Sequence, residues 1–128
     1  MILDSSAVVA LLLKDPDHAL LRQKIIAADV IGIGAPTLVE AGIVLSARMG
    51  QDARGMLARF IDENEIIVIP FTEGHYGMAM SAWMKYGKGR HPAGLNLGDC
   101  LSYALAKIAD MPLLCIGNDF PQTDLKLA

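Results

Sequence analysis

Met1-Ile2-Leu3-Asp4-Ser5-Ser6-Ala7-Val8-Val9-Ala10-Leu11-Leu12-Leu13-Lys14-Asp15-Pro16 holds the pattern that decides the fold. A short apolar run, Met1 to Leu3, stops at a carboxylate and passes at once into a helical pattern from Ala7 to Lys14. Asp15-Pro16 ends that helix, because the residue before a proline is pushed out of the helical region. The same alternation continues along the chain. Val30 to Ile33, Ile66 to Ile69 and Leu113 to Ile116 are further short apolar runs, and helical patterns fill the gaps at Ala19 to Ala28, Leu38 to Met49, Ala53 to Glu63, Glu73 to Tyr86 and Leu97 to Ala109. Near-continuously apolar runs of this length read as strands covered on both faces. Strands alternating with helices make a parallel sheet. The fold class expected is therefore α/β, a three-layer α/β/α sandwich with a short central parallel sheet, in one domain over residues 1–128. Gly50 stands where a helix C-terminus favours glycine, and Gly87 to Gly94, with three glycines and a proline, reads as a loop.

Composition narrows the class. The chain has 128 residues, 53% of them hydrophobic and 20% charged, with a net charge of -3. That length suits one domain with a real core, and so much apolar material must be buried or lie in an interface. No apolar run approaches the roughly 20 residues that span a bilayer, so no membrane role is expected. The first residues lack a basic segment and reach Asp4 immediately, which is unlike a signal peptide. Cys100 and Cys115 sit in apolar settings without metal-ligand spacing, as free thiols do in a reducing, cytoplasmic compartment. Negative net charge argues against a broad basic surface for nucleic acid. It leaves room for an acidic site that reaches phosphate through bound metal ions.

Four acidic residues carry the chemistry, and each also has an ordinary explanation. Asp4 closes a strand and would cap the following helix. Glu40 is the only charge in an apolar helix before Arg48, and it has capping-box spacing from Thr37. Asp99 falls in the first turn after Asn96, where a helix dipole favours an anion. Asp119, in Gly117-Asn118-Asp119-Phe120, suits a turn. Topology ties them together. Helices in a parallel α/β sheet run against the strands, so strand C-termini and helix N-termini share one edge, the edge where such sheets bind ligands. Carboxylates gathered there need raised pKa values or cations, and an all-oxygen set suits magnesium or manganese. Such a site hydrolyses phosphodiesters by activating water and stabilising the charge that develops. Asp4 and Asp99 are assigned as principal ligands, with Asp119 ligating directly or through water. Glu40 either ligates or orients the attacking water.

Lys85, Tyr86, Lys88, Arg90 and His91 gather positive charge and a ring just before Asp99. They are expected either to bind nucleic acid, with phosphate contacts and Tyr86 stacked on an unpaired base, or to form a solvated loop after a helix C-terminus that favours cations. Trp83 and the methionines at 78, 80 and 84 read as core or as a dimer interface. His18 and His75 read as surface or capping residues.

At these residues the sequence resembles the PIN-domain family, and within it the VapC-type ribonuclease toxins of toxin–antitoxin pairs. The features that carry the resemblance are Ile2-Leu3-Asp4-Ser5-Ser6-Ala7, the mid-chain Glu40, and Lys88-Gly89-Arg90-His91 followed by Leu95-Asn96-Leu97-Gly98-Asp99-Cys100 and Tyr103-Ala104-Leu105-Ala106-Lys107. Leu113-Leu114-Cys115-Ile116-Gly117-Asn118-Asp119-Phe120 completes it, so the likeness spans essentially the whole chain. It implies a magnesium-dependent (or manganese-dependent) endoribonuclease acting on structured or translational RNA. It also implies a homodimer inhibited by a small cognate antitoxin. The chain departs from the Thr-x-Asp-x-Asp-Phe ending of many family members, because Cys115 and Gly117 replace the threonine and the first aspartate. That keeps open a degenerate member that only binds a partner. Two other classes fit less well. A haloacid-dehalogenase-like phosphotransferase needs an aspartate two residues beyond Asp4, where Ser6 stands. A receiver domain needs a phosphate acceptor after a mid-chain strand, and Ile69-Pro70-Phe71 offers none.

Overall fold

The computed structural model describes residues 1–128. Its four strands are β1 (Ile2–Leu3), β2 (Gly32–Gly34), β3 (Ile67–Ile69) and β4 (Leu113–Leu114), all parallel, in the order β3-β2-β1-β4. Six helices connect or follow them: α1 (Ser5–Leu12), α2 (His18–Ala27), α3 (Ala35–Met49), α4 (Arg54–Glu63), α5 (Glu73–Tyr86) and α6 (Leu97–Ala109). β2 starts later than its apolar run suggests, at Gly32. A side chain there would meet Ile69 Cδ1 at 2.7 Å and Ile2 Cδ1 at 3.2 Å, so the isoleucines of the neighbouring strands fill the space over the bare glycine.

Side-chain alternation makes the three layers. Successive strand residues point to opposite faces. Leu3, Ile33 and Leu114 join one apolar cluster with residues of α1, α2, α3 and α4, while Ile2 and Leu113 join a second with α5 and α6. Leu3, Ile33 and Leu113 are fully buried, each worth roughly 1.5–3 kcal/mol over leaving it exposed. Cover on both faces holds for β1 and β4 and fails for β3. Ile67 is 55% and Val68 41% exposed, because β3 is the outer strand and the helices do not reach across it. The opposite edge is closed by the chain's own tail. Leu127 bridges to Leu113, and Asp124 is held by the Tyr103 hydroxyl at 2.6 Å and by Lys107 at 2.8 Å.

Helix boundaries decide where the acids fall. α3 begins at Ala35, three residues before its apolar pattern, with Pro36 supplying a preset φ in the first turn, where no N–H partner is needed. Its N-cap is Gly34, so Thr37 is not a cap and Glu40 lies in the second turn. The capping-box explanation of Glu40 therefore fails. α3 ends as expected on Gly50 in the left-handed conformation, φ 67°. His75 caps α5, its Nδ1 accepting the Thr72 N–H at 3.0 Å. Both cysteines are free, and no helix is long and apolar enough to cross a membrane.

Candidate active site

β1 delivers Asp4 to the C-terminal edge of the sheet, and α1 starts from it. The carboxylate is 3% exposed and already occupied by hydroxyls. Ser102 of α6 donates to Oδ1 at 2.6 Å, while the Ser6 hydroxyl and amide donate to Oδ2 at 2.5 and 3.0 Å. Thus Asp4 does cap α1, and it is at the same time bound to the helix that carries Asp99.

Asp99 sits in the first turn of α6 in a reciprocal cap. Its N–H donates to Asn96 Oδ1 at 2.9 Å and its own Oδ2 accepts the Asn96 N–H at 3.0 Å. Loss of solvent pushes its pKa up to about 6, the charges of Asp4, Asp119 and Glu40 add to the rise, and the Asn96 N–H opposes it. The electrostatics therefore bring all four acids into one field. Cys115, on the strand exit toward Asp119, feels it too. Burial raises its thiol to about 11, with the charges of Asp4 and Asp99 contributing.

Glu40 accepts a hydrogen bond from the Ser5 hydroxyl. Its carboxyl group also lies against Gly98, where an added Cβ would come within 2.8 Å of Glu40 Cδ. Glycine just before Asp99 is thus what allows α3 and α6 to place their acids side by side. Asp119 is exposed and precedes a single 3-10 turn, Phe120–Gln122, without capping it. All four acids were visible in the sequence, whereas Ser5, Ser6, Ser102 and Gly98 emerge as site-shaping residues only in the fold. Ser102 had a signal: three residues past Asp99, it shares that helical face.

No lysine or arginine neutralises the set. The salt bridges of the chain are Arg48–Asp15, Arg54–Asp52, Lys107–Asp124 and Lys126–Asp110, none of them involving a site acid. An all-oxygen group of acids without a basic partner is a donor set for a hard divalent cation. It is not a closed cage: no three acidic, histidine or cysteine side chains stand together in ligating geometry. A shallow depression of about 480 Å³ opens onto the edge, lined by Ser5, Ser6, Glu40, Ile116 and the ion pair Asp15–Arg48.

The family model described as PIN domain matches residues 1–126. The chain belongs to the PIN domain family. A VapC ribonuclease from Mycobacterium bovis, Mb2004c, is 47% identical, covering 98% of this chain and 91% of its own. Ribonuclease VapC28 of Mycobacterium tuberculosis is 42% identical over 100% of this chain and 97% of its own. Among solved structures, Mycobacterium tuberculosis VapC20, described as a Sarcin-Ricin loop cleaving toxin, superposes with a TM-score of 0.80 at 18% identity, covering 99% of this chain and 97% of that one. A toxin–antitoxin complex from Klebsiella pneumoniae gives 0.72 at 16% identity, over 99% and 95%. At those identities the two structures speak for the fold, a PIN-type α/β domain.

The basic segment of this PIN domain is only partly as expected. It is tied to the chain just before α6, where Lys88 N–H donates to Leu95 O at 2.9 Å, next to the Asn96 cap. Lys85, Lys88 and Arg90 are exposed. Tyr86 is not. Its ring is 6% exposed, edge-on to His91 at 5.1 Å and tilted on Tyr103 at 5.9 Å. Base stacking by Tyr86 is therefore corrected to a core role. Arg90 lies over Trp83 at 4.9 Å and donates from Nε to the Met84 carbonyl at 3.1 Å, as a cation at a helix C-terminus would. Trp83, Met80, Met84 and Tyr76 form an exposed apolar stripe on α5, while Met78 packs on the core.

Proposed function

We propose that this PIN domain is a magnesium- or manganese-dependent endoribonuclease, the toxin of a toxin–antitoxin pair. The observation that carries the proposal is Asp99, raised to about 6 by loss of solvent and by the charges of Asp4, Asp119 and Glu40, none of the four having a salt-bridge partner. Its relatives in two mycobacteria, named as VapC ribonucleases, support it.

Asp4 and Asp99 would hold the metal, with Asp119 assisting directly or through a water. A divalent ion there would lower the pKa of a bound water and stabilise the negative charge that develops on the phosphate oxygens. The protein supplies the rest. Asp99 carries its proton only below about pH 6, so near neutrality it is an anionic donor. Glu40, whose carboxylate accepts from the Ser5 hydroxyl, would take the proton of the attacking water as the phosphorus–oxygen bond to the leaving ribose breaks, and the ribose oxygen would take a proton from solvent. Lys85, Lys88 and Arg90 would meet phosphates flanking the cleaved bond.

The stripe Tyr76, Met80, Trp83 and Met84 is assigned to a homodimer contact, and a small antitoxin is the proposed second partner, with the complex residing in the cytoplasm. The test is end-group chemistry. RNA cut by a metal-activated water carries no 2′,3′-cyclic phosphate at the break. Cyclic phosphate ends would mean attack by the neighbouring ribose hydroxyl and would defeat the assignment of Glu40 and the metal.

A further inference from the structure

Every polar contact of the Asp119 segment with the rest of the site runs through one side chain. Residues 115 to 119 leave β4 without regular structure, with Gly117 at φ 102° and nothing within 4 Å of where a Cβ would stand, so packing at Gly117 does not hold the backbone to one course. Asp119 makes no cap of its own. Within this stretch Gln122 Nε2 donates locally to Asn118 O, and the sole hydrogen bond to a side chain on another element is from the Ile116 N–H to Ser6 Oγ, 3.0 Å. The Ser6 hydroxyl has one proton, and that goes to Asp4 Oδ2 at 2.5 Å. Its lone pairs are then what the Ile116 amide finds. A hydroxyl is the group that does both at this place, since a donor and an acceptor are used at once.

We propose that Ser6 is a positioning residue that couples Asp4 to Asp119: it orients the Asp4 carboxylate and, through the Ile116 amide, fixes the loop that brings Asp119 to the same edge. Ser102 already holds the other oxygen of Asp4 at 2.6 Å, so Ser6 is needed less for burying Asp4 than for registering the loop against it. This rests on the proposed function above, in that Asp4 and Asp119 act on one substrate.

The test compares Ser6→Ala, Ser6→Thr and Asp119→Asn, alone and with Ser6→Ala combined with Asp119→Asn, in RNA cleavage at varied manganese. Outer hydrogen-bond partners of metal ligands typically contribute about 10–100-fold. Ser6→Ala should lose activity on that scale and need more manganese for half-maximal rate. Ser6→Thr, which keeps the hydroxyl, should recover most of it. The double variant should lose less than the product of the two single losses, because the part of the Ser6 effect that runs through the loop is already gone in Asp119→Asn. Independent multiplication of the two losses, or a Ser6→Ala enzyme equal to wild type, would overturn the coupling. An independent reading needs no variant: the Ile116 amide, although its residue is solvent-exposed, should be protected from hydrogen exchange in the wild-type protein, and free exchange would overturn the proposal as well. Failure of the nuclease reading looks different. Asp4→Asn would then cleave like wild type, whatever Ser6 does.

Discussion

Replacing Asp99 by asparagine should make the metal-free protein more stable at pH 8 and catalytically dead. The carboxyl group is raised from 3.8 to about 6, chiefly by loss of solvent and then by Asp4, Asp119 and Glu40. Two units of pKa correspond to roughly 3 kcal/mol at about 1.36 kcal/mol per unit. Solvent at the open edge screens part of this, leaving about 1–2 kcal/mol as the expected gain. The amide still offers an oxygen to the Asn96 N–H, so the helix cap survives. For a chain of this size the gain is about 3–8 °C in melting temperature. The sign with pH follows from the raised value. A folded state that binds the proton more tightly than the unfolded chain is favoured in acid, so the stability this proton confers is complete below about pH 4 and lost as pH rises through 6. The advantage of the variant should thus be full above about pH 6 and vanish near pH 4. The assay is thermal or urea unfolding in EDTA at pH 4, 6 and 8. An Asp99→Asn protein no more stable than wild type at pH 8 would refute a carboxyl group raised chiefly by loss of solvent and further by its acidic neighbours.

Three other outcomes rest on the same geometry. Magnesium or manganese should raise the melting temperature of the wild type with concentration, approaching about 2.7 kcal/mol at one hundred times the dissociation constant; Asp4→Asn should show no such rise, and equal rises in both would place the ion elsewhere. Gly98→Ala drives a methyl group into the Glu40 carboxyl, so cleavage should fall by roughly 10–100-fold in a protein that still folds, as judged by circular dichroism. Arg90→Glu should weaken RNA binding and lower the salt slope by about 1 if the guanidinium meets a phosphate; an unchanged slope in a binding titration would confine Arg90 to its contacts with Trp83 and Met84.

Fold and site were legible in the sequence to different depths, for physical reasons. Burial on both faces leaves a strong mark, and Ile2-Leu3 and Leu113-Leu114 fall where their apolar runs stand. β3 misleads because an edge strand can be as apolar as a central one; Ile67 and Val68 do not say in sequence that no helix covers them. The start of α3 is hidden by Pro36, which opens the helix in the structure while the apolar pattern begins only at Leu38. The four acids were legible because topology alone sends strand ends and helix starts to one edge. Their hydroxyl partners were not, since Ser6 and Ser102 are ordinary helix residues until α1 and α6 are seen to meet at Asp4. Tyr86 escapes for a related reason: its neighbours in sequence are polar, while its neighbours in space, His91 and Tyr103, bury it.

The most direct measurement is cleavage of a mixed RNA pool by the partner-free protein with magnesium, manganese or EDTA, beside Asp4→Asn and Asp99→Asn. A four-carboxylate metal site predicts metal-dependent cleavage that both substitutions abolish in folded protein. Cleavage that survives EDTA, or that the two variants retain, would contradict it.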